Sequence, residues 1–314
     1  MSEQLVAGVV GAGVFGGHHA RKYATTEGVR LGAVYDVDYA RARALADKHQ
    51  ATAYADYAAF LKAVDVVTIA APATAHFALA RTALAAGKHA LLEKPLATTL
   101  DHADRLIALA ERMGVVLQVG HQERFVADAF GVLRRPTPPR SIWCRRLNPK
   151  TGRGEDVSVV LDLMIHDLDL IRQLGLGDLK SVVARGDADD VETELEFEGG
   201  AMAILAASRV SSRPDRRMTF VYDDGVVEID FVNRTVGNTT ATPLAASFED
   251  ASLSPALSDP LGLGVTLFVD AVRNRRAAPI CGRAGRGALE WALAIEDTLE
   301  ALVQPEPKRA SAGV

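Results

Sequence analysis

"QLVAGVVGAGVFGG" (4–17) decides how the rest of the chain is read. It opens with a short run of small and β-branched apolar residues, which suits a strand buried on both faces. The run stops at "GAGVFG", with Gly11, Gly13 and Gly16, and a helix-like stretch follows over 14–25. Glycines at these spacings have separate tasks. Gly11 permits a tight turn, Gly13 lets a pyrophosphate approach the backbone, and Gly16 lets helix and strand pack closely. Val14 and Phe15 then stand at the helix N-terminus, whose unpaired N–H groups and positive dipole end attract phosphate. Asp36 lies 20 residues after Gly16, at the end of a second apolar run, "VRLGAVYD" (29–36). A carboxylate there binds the adenosine ribose hydroxyls and repels a 2′-phosphate. Val37 follows rather than Arg or Ser, so NAD is expected in preference to NADP. The alternative is a purely structural glycine turn in some other α/β domain.

Further strands are expected at 64–70, 88–93 and 115–120, with helices at 39–49, 56–62, 74–86 and 99–113. This alternation predicts a doubly wound parallel sheet over residues 1–120. After Gly120 the pattern changes. "SIWCRRLN" (141–148) and five runs between 179 and 231 read as strands, and no helix separates those five. Turn signals such as "EGG" (198–200) and "DDG" (223–225) imply antiparallel pairing. A helix is expected around 157–174, two more near 265–275 and 286–303, and a frayed tail over 304–314. Residues 121–303 are thus expected to form an α+β domain for substrate and oligomer contacts.

The chain has 314 residues, 24% of them charged, and a net charge of −5. No basic field invites nucleic acid. Two cysteines, Cys144 and Cys281, form no metal or disulfide pattern, so no metal is expected and a reducing compartment fits. The opening "MSEQ" carries no Lys or Arg, and no apolar run reaches 18 residues. A cytoplasmic protein without signal peptide or membrane association is expected.

Two segments carry candidate chemistry. "LLEKPLA" (91–97) ends a buried strand with Glu93 and Lys94, and Pro95 restricts the lysine's backbone. A lysine at that edge could act as acid, base or hydrogen-bond donor, or simply lie in solvent. "VLDLMIHDLDLI" (160–171) is dense in aliphatics yet holds Asp162, His166, Asp167 and Asp169. At helical spacing His166 lies about 40° from Asp162, and Asp169 about 20° to its other side. Those three form one polar stripe, while Asp167 falls away from it and reads as structural or solvated. The stripe could be a structural network, a metal site or a catalytic site. His76, after "AAPATAH", lies where a strand end meets a helix and is a candidate for the nicotinamide side, with Ala71 in the same turn. His18 and His19 read as packing or surface residues.

"GAGVFGGHHA", "AAPATAHFALARTALAAGKHALLEKPLA" and "LDLMIHDLDLI" together resemble the glucose-fructose oxidoreductase / inositol dehydrogenase (Gfo/Idh/MocA) family across nearly the whole chain. The resemblance implies an N-terminal Rossmann domain and a C-terminal domain with a large open, mostly antiparallel sheet. It also implies NAD(P)-dependent oxidation or reduction of a carbohydrate hydroxyl, with Lys94, Asp162 and His166 as the catalytic group. It implies a homodimer or homotetramer paired through the open sheet face. Within the family "GHQERF" and "VSVVLDLMIHDLDL" are most similar to members acting on nucleotide-linked amino sugars. The expected reaction is 3-oxidation of UDP-N-acetylglucosamine, as used in lipid A amino-sugar synthesis. The alternatives are a free sugar or inositol dehydrogenase and a non-enzymatic NAD-binding regulator. Glu123, Arg124, Arg153 and Met164 are the expected substrate contacts. Arg145, Arg146, Arg213, Arg216 and Arg217 could add cations for a diphosphate. Two positions depart from the family pattern. Met164 replaces a common glycine, and Val126-Ala127 replaces an Asn-Pro, so contacts of that loop do not carry over.

Overall fold

A computed structural model describes residues 4–152 and 154–303. Arg153 and the tail 304–314 lie outside the described residues. Strands β1 (Leu5–Val10), β2 (Val29–Tyr35), β3 (Thr52–Tyr54), β4 (Val66–Ile69), β5 (His89–Leu92) and β6 (Leu117–Val119) form one parallel sheet, ordered β3-β2-β1-β4-β5-β6. The expected strands are all present; β3 is an addition, too short to give a periodic signal. Val9, Val66, Val67, Ile69 and Leu92 have no exposed surface, as a sheet covered on both faces requires. Full burial of such side chains stabilises by about 1.5–3 kcal/mol each.

Helices α1 (Val14–Tyr23), α2 (Tyr39–Lys48), α3 (Tyr57–Lys62), α4 (His76–Ala85) and α5 (Leu100–Met113) connect the strands. Their ends follow local chemistry. Asp38 caps α2 by accepting from Ala40 N and Arg41 N, and Thr99 caps α5 by accepting from His102 N. In α5, Ala103, Leu106, Ile107 and Ala110 bury one face, while Asp101, Asp104 and Glu111 face outward. The strand order reverses beside β1, which opens a crevice at the carboxyl ends of β1 and β4.

After α6 (Glu123–Ala129) the chain forms a seven-stranded sheet. Its strands are β7 (Ser141–Leu147), β8 (Leu179–Gly186), β9 (Asp190–Phe197), β10 (Met202–Ser208), β11 (Asp215–Tyr222), β12 (Gly225–Asp230) and β13 (Thr235–Asn238), ordered β13-β12-β11-β7-β10-β9-β8. Most pairs are antiparallel, but β7 and β10 run parallel. The helical segment between β7 and β8 returns the chain to the same end of the sheet, so a hairpin is impossible there. That segment is a π-helical turn (Val160–Met164) continued by α7 (Ile165–Ile171). It lies against one sheet face with α10 (Gly282–Val303), where Phe197 meets Trp291 at 5.2 Å. The other sheet face is open.

A short helix, α8 (Pro255–Ser258), and the longer α9 (Pro260–Arg273) precede α10. The expected division at residue 120 is not the spatial one for α9. Its Val265, Phe268, Val269 and Val272 share a core with Val9, Tyr23 and Leu91 of the first domain. Gln118 Nε2 donates to Gly264 O at 2.9 Å, and Val119 N donates to Ile280 O at 2.9 Å. The late segment thereby covers the edge of β6, which would otherwise present unpaired backbone groups. Among the described residues no helix is long and apolar enough to cross a membrane.

Candidate active site

The glycine turn is built for close approach. Gly11 adopts φ +92°, and a side chain there would meet Ala70 O at 2.5 Å. A Cβ on Gly16 would sit 1.7 Å from Gly11 O. Above Gly13 nothing lies within 4 Å, leaving room for a phosphate group. The N-cap residue Gly13 has no side chain to cap α1, and Val14 and Phe15 are exposed at the helix start. Asp36 accepts from Ala12 N at 2.6 Å and from Asp38 N at 2.9 Å, which fixes its carboxylate at the end of β2. These features fit a dinucleotide. The oriented carboxylate favours free ribose hydroxyls over a 2′-phosphate.

Lys94 follows β5 at the crevice, joined to Pro95 by a cis peptide bond. Its Nζ donates to the Asp162 backbone carbonyl at 2.5 Å and to Asp162 Oδ1 at 2.8 Å. The first domain's lysine and the second domain's π turn are thus directly joined. An ammonium has three donors, and this arrangement commits two. The third remains for a ligand.

Glu93, beside it, is buried. Burial pushes its carboxyl up, but His19 at 2.7 Å and the charge of Lys94 hold it below the usual range. Its carboxylate, expected at the cofactor, is paired with the buried His19. His76 also differs from expectation. It is 1% exposed, with Nδ1 2.8 Å from Pro95 O and Nε2 3.0 Å from Ala71 O. Both ring edges face backbone, so the ring clamps the loop after β4 to the loop after β5. Neither nitrogen is open to nicotinamide.

His166 is buried on α7, within reach of the charge of Lys94 and edge-on to His121 at 6.1 Å between centroids. Burial holds its pKa well below the ordinary histidine value, and Lys94 and Arg146 add to this, so the ring is neutral at pH 7. The expected stripe is only partly realised. Asp162 is spent on Lys94, and the carboxylate near the His166 ring belongs to Glu123, 3.8 Å from Nδ1. The π turn over 160–164 breaks the 3.6-residue phase on which the wheel rested. Asp169 pairs with Arg124 through the guanidinium Nε and Nη2. Asp167 is not solvated; it receives Arg146 at 2.5 and 3.0 Å.

Of the expected substrate contacts, Glu123 is buried between Arg146 and Arg216. Arg124 has closed its fork on Asp169. Met164 has no exposed surface and packs in the core. Glu123 is thus committed to arginines and Met164 to the core, while Arg124 keeps Nη1 outside its pair with Asp169. Among the other arginines, Arg145 and Arg217 both pair with Asp215, while Arg213 is exposed with no ion pair among the described residues. His121 escaped the sequence reading. "GHQ" follows β6 at the same sheet edge as Lys94, and that placement was the available signal. A separate cavity of about 750 Å³, by His89, Val116 and Cys281, lies at the opposite end of the sheet.

Residues 5–121 match an oxidoreductase family with an NAD-binding Rossmann fold, and residues 129–228 match the GFO/IDH/MocA C-terminal domain. The chain is 35% identical over 309 residues to UDP-N-acetylglucosamine 3-dehydrogenase of Acidithiobacillus ferrooxidans, spanning 95% of this chain and 98% of that one. This chain belongs to the Gfo/Idh/MocA family. A solved structure of the A. ferrooxidans UDP-N-acetylglucosamine 3-dehydrogenase superposes with a TM-score of 0.84 at 34% identity, covering 96% of this chain and 99% of that chain. Inositol 2-dehydrogenase of Rubrobacter xylanophilus is 32% identical over 59% of this chain and 56% of its own length. The Gfo/Idh/MocA assignment makes this an NAD-binding oxidoreductase with a Rossmann domain and a mixed, mostly antiparallel second sheet.

Proposed function

We propose that this protein is an NAD-dependent dehydrogenase that oxidises the 3-hydroxyl of UDP-N-acetylglucosamine, with Lys94 and His166 as the reacting side chains. The observation that carries the reading is the junction of Lys94 with the Asp162–His166 segment at the crevice beside the glycine turn. The full-length similarity to a UDP-N-acetylglucosamine 3-dehydrogenase supports the substrate. It spans both domains, whereas similarity to inositol 2-dehydrogenase covers little more than half the chain.

Gly11, Gly13, Gly16 and the start of α1 hold the pyrophosphate, and Asp36 holds the adenosine ribose. Bound NAD supplies the acceptor for the hydride that leaves the sugar carbon. His166, neutral in its buried site, takes the hydroxyl proton and becomes imidazolium as the carbon–oxygen double bond forms. Lys94 directs its third N–H to the same oxygen and stabilises the negative charge that develops there. Asp162 keeps the ammonium aimed. The division of roles follows from charge: Lys94 is a paired cation, and His166 is the group with a free lone pair.

The test is a substrate panel. Purified protein with NAD is given UDP-N-acetylglucosamine, other UDP-sugars, inositols and free hexoses, and NADH absorbance is followed. Turnover on UDP-N-acetylglucosamine is expected. Turnover on inositol alone would replace the substrate, and silence with every compound despite NADH binding would favour a regulator.

The protein also acts as a homodimer or homotetramer through its open sheet face. Supporting this, the strand register sets Trp143 beside Ile204 on that face, with Val183 in the same row beyond the exposed Glu194. Trp143 is 51% exposed and Val183 49%. Large apolar side chains left open on a sheet face mark a contact surface.

A further inference from the structure

Three carboxylates lie on the same helical segment as His166, and each is committed elsewhere. Asp162 holds Lys94, Asp167 holds Arg146, and Asp169 holds Arg124. The carboxylate that approaches the ring comes from α6 instead: Glu123 Oε1 lies 3.8 Å from His166 Nδ1. That nitrogen is buried and forms no hydrogen bond to any described residue. Contacts of this length in a ligand-free site commonly tighten when substrate is bound.

Glu123 is itself held. Arg146 reaches its two oxygens at 3.0 and 2.7 Å, and Arg216 reaches Oε1 from β11. Arg146 also holds Asp167, so two arginines face two carboxylates and the group carries no net charge. A charged cluster this buried is costly unless every member is paired. The cluster fixes Glu123 beside Nδ1 of the imidazole.

We propose that Glu123 is the positioning carboxylate of His166, with Arg146 and Arg216 holding it in place, while Asp162 serves Lys94. The proposal rests on the reading of His166 as the base. Glu123 selects the tautomer with Nδ1–H directed toward it, which leaves the Nε2 lone pair for the alcohol. When the hydroxyl proton moves to Nε2, Glu123 faces the new imidazolium charge. No other group is consumed: the alcohol loses one proton to His166, and the ring later returns it to solvent. The remaining titratable neighbours are Lys94 after β5, Arg146 on β7 and His121 after β6, all of which disfavour the charged ring. Glu123 is the neighbour that favours it.

The test uses the full chain. Ring titration of His166 is followed by NMR, with His166→Asn assigning the signal, and kcat is measured against pH with UDP-N-acetylglucosamine and NAD. Glu123→Gln is expected to move the titration midpoint further down and to lower kcat by about 10–10²-fold with little change in KM. Glu123→Asp should recover part of the loss. Arg216→Gln, a milder change at a partly exposed side chain, leaves Glu123 less neutralised and should move the midpoint up. It keeps the test decisive if Glu123→Gln does not fold. Unchanged midpoints in the variants that fold would overturn the proposal. Full turnover by His166→Asn would instead overturn the base assignment, and the NMR result would still report on Glu123.

Discussion

Lys94 shows how one side chain can be bound and still be available. Two of its donors go to Asp162, which sets the direction of the third. Lys94→Ala should leave NADH binding, measured by fluorescence titration, close to its original strength. The same change should lower kcat by about 10²–10³-fold, the usual cost of losing one donor to a developing oxyanion. Undiminished turnover would remove Lys94 from the mechanism. Its importance was readable in "EKP" at a strand end. Its partner was not, because Asp162 lies 68 positions away and on another domain.

At the scale of elements, the segment 160–171 is the instructive case. Its apolar density and its polar residues were both legible as a buried helix with function. The π turn was not, and it redirects Asp162 toward Lys94 while His166 faces Glu123. Met164, an expected substrate contact, is instead fully buried in the core. Met164→Ala should therefore cost about 2–5 kcal/mol in denaturant unfolding, as buried truncations do. KM for the sugar nucleotide should stay near its original value. A selective KM change with intact stability would return Met164 to the pocket.

The whole molecule stores several neutral histidines. Burial pushes His76, His121 and His166 below their ordinary value of 6.5. On acidification the unfolded chain takes up these protons near pH 6.5 while the folded chain resists. The unfolded state then binds more protons, so stability falls as pH drops through that range. Each ring contributes up to about 1.4 kcal/mol per pH unit until its own lowered pKa is reached. Glu123, held well below 4.5, adds a loss in the same direction at lower pH, against which Asp167, shifted up, acts in the opposite sense. Urea midpoints should accordingly be lower at pH 5.5 than at pH 7.5, and equal midpoints would contradict the buried neutral rings. Assembly is the other property of the whole. Trp143→Glu places a charge in the centre of the open sheet face and should yield a monomer by light scattering. An unchanged mass would move the interface elsewhere.

Periodicity, glycine spacing and the EKP lysine were properties of neighbouring residues, and so the sequence by itself determined the strand–helix alternation, the dinucleotide turn and Asp36. Local rules reach about one turn or one strand. What only the tertiary structure decided was pairing across distance: α9 covering the first domain, β7 parallel to β10, His76 as a clamp, and Arg146 joining Glu123 to Asp167. Charged side chains in a core must find opposite charges, and any of several arginines and acids could have met by composition alone. Which ones meet is set by the packing of α6, α7 and the second sheet, and that packing gives His166 its carboxylate.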